Sequence, residues 1–227
     1  MNIISAQFGP LGGPFMASAE DQTTGLVVLL HGYGANGLDL FGLAEPLRAA
    51  LQNSGLAVWS PNAPEILPGA GQFMAQEAYQ WFPITSLDRR ELAGGVQQVS
   101  PLAQEAILAA AAQLNVPLSH VAIVGFSQGG MVALDACLTM NQPVAAVVGL
   151  STAYLGIGRE ALVTARPPVT LVHGDADPVV EPSSLALAVD GLKAAGIEAD
   201  AHMLPGLQHG IDQRAFDLAV KALTAVL

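Results

Sequence analysis

Three side chains that together could activate a nucleophile lie in three separate motifs of the sequence. Ser127 lies in GFSQGG, Asp177 in HGDADP and His209 in GLQHG. A serine hydroxyl becomes a nucleophile when a histidine accepts its proton, and a carboxylate keeps that histidine in the required tautomer. These residue types predict covalent catalysis of acyl transfer, provided that the fold brings the three motifs together.

The surroundings of Ser127 match the context that such a nucleophile needs. An apolar run at 121–126 is typical of a buried strand, and a helical pattern follows from Gln128. The motif G-x-S-x-G places a serine on a strained turn between a strand and a helix, where side chains at positions 125 and 129 would collide with the neighbouring strand and helix. The alternative is a glycine-rich turn in which Ser127 is an ordinary N-cap.

The chain has five histidines, and His209 is the candidate base. It lies in PGLQHGID, a loop between a short strand and the last helix. His202 alternates within a strand pattern, and His120 precedes the nucleophile strand at the wrong end of the sheet. His31 and His173 each follow an apolar strand and are expected to shape the turns there.

The acid should follow a strand between the serine and the base. Asp177 is favoured because Pro178 disfavours helix and keeps this loop extended. Asp175 is the alternative, although it also fits a turn residue that bonds the backbone. The resulting order of serine, acid and histidine is that of α/β hydrolases and differs from two other serine-hydrolase layouts.

An oxyanion needs two backbone N–H donors close to the nucleophile. Gln128, the residue after the nucleophile, is one candidate. The other is Tyr33 in LHGYGANG, a glycine-rich stretch that follows an early strand. The simpler interpretation of HGYG is a turn between a strand and a helix.

Alternating apolar runs and helical patterns must position these motifs. Strands are predicted at 25–30, 56–60, 120–126, 144–150, 168–173 and 198–203. Helices are predicted at 37–53, 101–114, 128–140, 182–195 and 212–226. Because the strands are continuous apolar runs, they indicate a mostly parallel sheet with helices on both faces.

Two further predictions concern a helix N-terminus and a long connecting segment. Ser100 is the expected N-cap of the helix at 101–114, with Pro101 in its first turn. The long segment 61–100 is expected to form a partly ordered cap or lid.

The sequence resembles the phospholipase/carboxylesterase family of α/β hydrolases, which includes the acyl-protein thioesterases. The resemblance rests on LHGYGANG, GFSQGG, HGDADPVV and QHG, with SPNAPE and AYQWFPI as weaker matches. It covers about 25–226. Pro83 departs from the family, which usually has Asp after Trp-Phe.

The resemblance implies a serine carboxylesterase with the triad Ser127, Asp177 and His209 and the oxyanion donors Tyr33 and Gln128. A small ester or lipid-like molecule is the expected substrate. Acyl-protein thioesterase or lysophospholipase activity at the same site is the alternative function.

Large apolar residues of 61–86 are expected to bind the acyl chain. The candidates are Leu67, Phe73, Met74, Trp81 and Phe82. The alternative interpretation puts about half of them in the core, Trp81 and Phe82 first of all.

Composition and charge indicate the domain organisation and exclude some classes of binding partner. The chain has 227 residues, 52% of them hydrophobic, which suits a single domain spanning 1–227 with a large core. A net charge of −11 without a basic stripe argues against nucleic-acid binding and adsorption to anionic membranes.

No apolar run approaches the ~20 residues of a membrane span, so we expect a cytoplasmic protein without membrane insertion. Neither a metal nor an organic cofactor is expected, since no ligand spacing is present. Formation of a homodimer is left open by the sequence.

Overall fold

The computed structural model describes residues 4–67, 77–156 and 158–227. The strands are β1 Ile4–Phe8, β2 Leu11–Met16, β3 Gly25–Leu30, β4 Leu56–Trp59, β5 Glu65–Ile66, β6 Tyr79–Gln80, β7 Val121–Phe126, β8 Ala146–Leu150, β9 Val169–Gly174 and β10 Ala199–Leu204. The α-helices are α1 Gly37–Phe41, α2 Ala44–Leu51, α3 Arg89–Gln113, α4 Gln128–Leu138, α5 Ser183–Ala194 and α6 Gln213–Thr224.

Eight strands form one sheet in the order β1-β2-β4-β3-β7-β8-β9-β10. Neighbouring strands in the run β4-β3-β7-β8-β9-β10 pair in parallel, whereas β1 with β2 and β2 with β4 pair antiparallel. The predicted mostly parallel sheet is therefore confirmed. The carboxyl ends of β3, β7, β9 and β10 meet at one edge, which is where parallel sheets of this kind bind ligands.

The sheet is buried on both faces, and β3 illustrates how. Its side chains alternate between two apolar clusters: Leu26, Val28 and Leu30 face one, and Val27 and Leu29 face the other. Helices α3, α4 and α5 contribute to the first cluster, and α1, α2 and α6 to the second. Covering both faces with helices requires strands that are apolar at every position, which is the pattern read from the sequence.

The predicted helix at 37–53 is in fact two short helices. α1 begins after Asn36, whose side chain accepts a hydrogen bond from the Leu38 N–H, and it ends at Phe41. α2 starts at Ala44 and has Pro46 in its first turn, a position that tolerates proline. The apolar spacing continues across the break because both helices bury their apolar faces in the same cluster.

The helix predicted at 101–114 begins twelve residues earlier, at Arg89. Its N-cap is Asp88, whose carboxylate accepts hydrogen bonds from two N–H groups of the first turn. The prediction that Ser100 is the N-cap was wrong, since its hydroxyl donates to Val96 O from within the helix. Pro101 lies inside the helix rather than in its first turn.

The segment 61–100, which was expected to form a cap or lid, therefore includes part of a long helix. Its second part is the first half of α3, and the short strands β5 and β6 pair antiparallel to form a separate two-stranded sheet. Within the described residues, no helix has both the length and the apolarity needed to cross a bilayer.

Candidate active site

Ser127 occupies the turn between β7 and α4 in a strained backbone conformation. Its φ of 51° and ψ of −119° lie outside the regions that L-residues favour. Its N–H donates to Leu150 O (2.9 Å), which attaches the turn to β8. The residue is an N-cap by position, but its side chain makes no capping hydrogen bond. The hydroxyl is therefore not used to stabilise the helix.

The glycines on either side of Ser127 are required by close backbone contacts. A Cβ on Gly125 would lie 2.5 Å from the Cα of Gly130, and a Cβ on Gly129 would overlap the carbonyl oxygen of Leu30. Backbone atoms cannot yield as a flexible side chain can. Strand β3, strand β7 and helix α4 can approach one another this closely only because these side chains are absent.

Thr152 is a supporting residue that the sequence motifs did not reveal. Its hydroxyl donates to the carbonyl oxygen of Ser127 (2.7 Å), and the N–H groups of Gly130 and Met131 donate to the same oxygen. Three donors thus fix the peptide that follows the nucleophile. Twenty-five residues separate Thr152 from Ser127, so no local pattern connects them.

Asp177 and His209 are joined by a hydrogen bond of 2.8 Å between Nδ1 of the imidazole and Oδ2 of the carboxylate. The other carboxylate oxygen accepts from the N–H groups of Val179 (2.8 Å) and Val180 (3.0 Å). Burial by itself would raise the pKa of Asp177, but the hydrogen bonds from His209, Val179 and Val180 outweigh it and lower the pKa. The carboxylate is therefore charged and orients the imidazole.

Asp175, the alternative acid, has a different partner. Its exposed carboxylate accepts from the N–H of Gly206 (2.6 Å), which lies in the turn before His209. The structure thus places Asp177 against His209, whereas Asp175 stabilises the turn at Gly206.

His209 also contacts the nucleophile turn through the neighbour of Ser127. The rings of Phe126 and His209 lie 4.8 Å apart between centroids, at an angle of 45°. The side chain of His209 is 17% exposed, and Ser127 is 8% exposed. The imidazole of His209 is therefore partly open to water and contacts the residue that directly precedes the nearly buried Ser127.

The Gly32–Tyr33 turn lies directly against the serine. A Cβ on Gly32 would be 3.4 Å from Cβ of Ser127, so the backbone here passes the nucleophile at contact distance. Gly34 has a φ of 78° and donates its N–H to Tyr79 O (2.9 Å). Tyr33 itself is 42% exposed. Gln128 is the first residue of α4, where backbone N–H groups have no acceptor within the helix.

The side chain of Gln128 has a structural role that sequence reasoning missed. Its Oε1 accepts from the N–H of Trp81 (2.9 Å), and its Nε2 donates to the carbonyl of Phe82 (2.7 Å). The indole N–H of Trp81 in turn donates to His31 O (2.9 Å). These bonds fasten the chain that follows β6 to the nucleophile helix and to the end of β3.

The other histidines take structural positions. The buried ring of His31 contacts Gly32 O through Nδ1 (2.7 Å) and accepts from the Ala63 N–H through Nε2 (3.0 Å). Its burial lowers its pKa, although Gly32 O and Asp39 oppose this effect. The ring is therefore neutral and fixes the turn that carries Tyr33.

His173, at the end of β9, is buried and its Nε2 contacts Val180 O (2.9 Å). The same nitrogen lies 3.4 Å from Oδ2 of Asp177. His173 therefore supports the acid loop, as the sequence suggested. His120 and His202 lie in the short 3₁₀-helix before β7 and in β10, respectively.

The residues predicted to bind the acyl chain occupy several environments. Trp81 and Phe82 are 1% and 2% exposed and belong to the core, as the alternative interpretation held. Leu67 is half-buried beside β5 and donates its N–H to Ala78 O (2.8 Å). Phe73 and Met74 lie outside the described residues.

No group of three or more His, Cys, Asp and Glu side chains suited to a metal ion occurs in the described parts of the chain. Cys137 is fully buried, and burial raises the pKa of its thiol. The groups that could take part in a reaction are a serine on a strained turn, a carboxylate–imidazole pair whose imidazole contacts the residue before that serine, and backbone N–H groups at a helix N-terminus.

Comparison with known sequences gives matches over nearly the whole chain. The profile of the phospholipase/carboxylesterase family matches residues 11–227. Acyl-protein thioesterase 1 of Neurospora crassa is 26% identical, with 93% of this chain and 90% of that protein covered. Esterase YpfH of Escherichia coli is 24% identical over 87% of this chain and 81% of its own length.

Solved structures share the architecture. Esterase PE8 superimposes with a TM-score of 0.88 at 31% identity, covering 96% of this chain and 99% of that one. The Bacillus cereus carboxylesterase has a TM-score of 0.70 over 94% of this chain and 93% of its own, and its 17% identity speaks for the fold alone. With the α/β-hydrolase fold and a family match that spans most of its length, the chain belongs to the phospholipase/carboxylesterase family of serine hydrolases.

Proposed function

We propose that the protein is a carboxylesterase that hydrolyses short- to medium-chain esters through Ser127, His209 and Asp177. The observation that carries this proposal is the 2.8 Å bond between Asp177 Oδ2 and His209 Nδ1, on loops that reach the strained serine turn. The family match and the similarity to an acyl-protein thioesterase and an esterase support the same reaction class.

The first step is acylation of the enzyme. Nε2 of His209 accepts the proton of Ser127 while Oγ attacks the ester carbonyl. Asp177 keeps the proton of the imidazole on Nδ1 and stabilises the imidazolium that forms. The carbonyl oxygen, now an oxyanion, is bound by the N–H groups of Tyr33 and Gln128.

Collapse of this tetrahedral intermediate expels the alcohol, which receives the proton from His209. A water molecule then attacks the acyl-enzyme, again with His209 as base, and releases the acid and the serine. The serine proton leaves with the alcohol and a proton of the attacking water replaces it through His209, so the side chains regain their starting protonation states and the cycle needs no cofactor.

The test is hydrolysis of p-nitrophenyl esters by the wild type and by Ser127→Ala. We expect kcat to fall by about 10⁴-fold or more, because removal of a nucleophile leaves only binding and oxyanion stabilisation. Ser119→Ala is the control, since this serine lies beside β7 at the opposite end of the sheet from the nucleophile. Equal activity of Ser127→Ala and the wild type would refute the proposal.

Thioester hydrolysis at the same site is the second candidate. It is favoured by the similarity to the acyl-protein thioesterase 1 of Neurospora crassa. The same acyl group, presented as an oxoester and as a thioester, separates the two functions by the ratio of kcat/KM. A ratio that strongly favours the thioester would make thioesterase activity the main function.

A further inference from the structure

The segment that follows β8 holds Ser127 at both of its backbone polar groups. The N–H of Ser127 donates to Leu150 O (2.9 Å), and its carbonyl oxygen accepts from the hydroxyl of Thr152 (2.7 Å). Between these two residues, Ser151 has a left-handed backbone conformation with a φ of 46°, and its N–H donates to Val172 O on β9 (2.8 Å). The turn therefore places a side-chain donor on the backbone of the nucleophile.

The fold reserves a buried place for the Thr152 side chain, which is only 4% exposed. A Cβ on Gly130 would lie 2.7 Å from Cβ and Oγ1 of Thr152, and a Cβ on Gly149 would lie 2.8 Å from its Cγ2. Gly130 is the last glycine of GFSQGG. One glycine of the nucleophile motif thus leaves the room that this threonine occupies.

The carbonyl that Thr152 holds belongs to the peptide group whose N–H is a proposed oxyanion donor. This peptide joins Ser127 to Gln128, and because a trans peptide is planar, its N–H points away from its C=O. The N–H groups of Gly130 (3.0 Å) and Met131 (3.2 Å) reach the same oxygen from within α4, and the hydroxyl adds a shorter bond from another part of the chain. A fixed oxygen therefore means a fixed direction for the Gln128 N–H.

The other proposed donor peptide is held at the same end. Nδ1 of His31 lies 2.7 Å from Gly32 O, which is the carbonyl of the peptide that contains the Tyr33 N–H. Nε2 of this ring accepts from the Ala63 N–H (3.0 Å), so the ring proton is on Nδ1 and is donated to Gly32 O. Two unrelated parts of the chain thus place a buried side-chain donor on the carbonyl of an oxyanion-donating peptide.

On the basis of the proposed function, we propose that Thr152 is a positioning residue of the oxyanion site. Its hydroxyl fixes the Ser127–Gln128 peptide so that the Gln128 N–H meets the oxyanion as the negative charge develops. A donor that is already oriented stabilises this charge without reorganisation, and a hydrogen bond accepted by the C=O strengthens the N–H of the same peptide. Thr152 acts through this peptide and not by contact with the substrate.

The experiment compares Thr152→Ala with Thr152→Ser on p-nitrophenyl acetate. Both variants lack the methyl group of threonine, so they differ only in the hydroxyl. Thr152→Ser should keep kcat within about threefold of the wild type, whereas Thr152→Ala should lose about tenfold, a part of the roughly 10²–10³-fold that a complete oxyanion donor contributes. KM should change by less than about twofold, because the bond matters most in the transition state.

Circular dichroism at the assay temperature shows whether each variant is folded, so that lost activity is not lost structure. If Thr152→Ala does not fold, Thr152→Val replaces it in the comparison with Thr152→Ser. Valine keeps the branched shape that packs against Gly149 and lacks the hydroxyl. It should show the same loss of kcat as alanine.

A vibrational measurement reports on the oxyanion site without a rate. p-Nitrophenyl dimethylcarbamate, isotopically labelled at its carbonyl carbon, should leave a slowly hydrolysed carbamoyl group on Ser127, with its C=O facing the oxyanion donors. Hydrogen bonds to a carbonyl lower its stretching frequency. The infrared band should therefore lie at higher frequency in Thr152→Ala than in Thr152→Ser, whereas a threonine that only stabilises the fold would leave the band in place.

Thr164 offers the matched control, because its hydroxyl makes a bond of the same length at the other end of α4. It donates to Met140 O (2.7 Å), beyond the C-terminal end of the helix, over 24 residues of sequence compared with 25 for Thr152 and Ser127. Thr164→Ala and Thr164→Ser should therefore have equal kcat and the wild-type infrared band.

Two results would overturn the inference. One is equal kcat in Thr152→Ala and Thr152→Ser, and the other is an infrared band at the same frequency in both. Failure of the proposed function is a separate result, because Ser127→Ala would then hydrolyse p-nitrophenyl acetate as fast as the wild type.

Discussion

Ser127 and the Asp177–His209 pair lie at the same edge of the sheet but are held in different ways. The serine is fixed by the backbone: a positive φ, a carbonyl with three donors, and glycines whose absent side chains let β3, β7 and α4 touch. Asp177 and His209 are fixed by hydrogen bonds of the Asp177 carboxylate: one joins it to His209 on the loop after β10, and two come from backbone N–H groups of its own loop after β9.

This difference predicts two kinds of sensitivity. Around the nucleophile, an added methyl group meets backbone atoms, and the cost appears as lost folding stability. In the acid–base pair, an isosteric change leaves the packing intact and alters the tautomer, so the cost appears as lost activity. Substitutions around Ser127 and in the Asp177–His209 pair test this contrast.

Asp177→Asn should have the largest effect, and almost entirely on activity. The amide can still accept from Val179 and Val180, but its NH₂ would face Nδ1 of His209 and favour the wrong tautomer. We expect kcat to fall by about 10⁴-fold, while the melting temperature falls only modestly, through loss of the charge whose hydrogen bonds lower the pKa of Asp177. Steady-state kinetics and thermal unfolding measure the two effects.

Asp175→Asn provides the control, because asparagine can still accept the hydrogen bond from the Gly206 N–H. Its kcat should stay within about threefold of the wild type, since Asp175 does not touch the histidine. A larger loss of kcat in Asp175→Asn than in Asp177→Asn would reverse the assignment of the acid.

Gly129→Ala tests the other side of the comparison. The added Cβ would overlap the carbonyl of Leu30 and approach that of His31 (2.5 Å). We expect the free energy of unfolding to fall by about 3 kcal/mol or more, since backbone on both elements would have to move. Urea unfolding measures the loss.

Gly94→Ala is the same substitution in open space. Gly94 lies within α3, and a Cβ there would meet nothing within 4 Å. Alanine should therefore stabilise the helix by about 0.5–1 kcal/mol. Equal effects of the two substitutions would show that steric contact does not decide the role of Gly129.

The sequence predicts best what depends on local chemistry. The buried parallel strands appear as apolar runs because both faces of the sheet are covered, and GFSQGG marks the turn between β7 and α4, although the backbone that Gly129 meets belongs to Leu30 and His31, far away in the sequence. The antiparallel hairpin β1–β2 was missed, since Gly12, Gly13 and Pro14 are unfavourable strand residues that here pack at the edge of the sheet.

What the sequence does not reveal depends on long-range pairing. The link from Gln128 to Trp81 and Phe82 spans 47 and 46 residues, and its polar atoms become partners only after β6 is placed. The start of α3 was obscured by Gly94 and Gly95, yet Gly95 is needed because the ring of Phe82 packs against it. Tertiary contacts outweigh helix propensity there.

The smallest expected effect is a pH dependence of stability. The Ser127 side and the Asp177–His209 side should lose stability in different pH ranges. Burial, opposed by Gly32 O and Asp39, lowers the pKa of His31 below its ordinary 6.5, so at pH below 6.5 the unfolded chain binds a proton that the fold excludes. The contribution of neutral His31 to the free energy of unfolding is fully present above pH 6.5 and is lost as the pH falls below that value. Asp177, with its pKa lowered below 3.8, loses its contribution only in stronger acid.

His31→Gln removes the titrating ring while leaving an amide that can both donate and accept. The mutation should lower stability at pH 7.5 but flatten the slope of unfolding free energy between pH 6.5 and 5, as measured from urea midpoints. His120→Gln, at an exposed position before β7, controls for the loss of one histidine. If His31→Gln kept the wild-type slope, the neutral ring of His31 would not be the source of the loss of stability in acid.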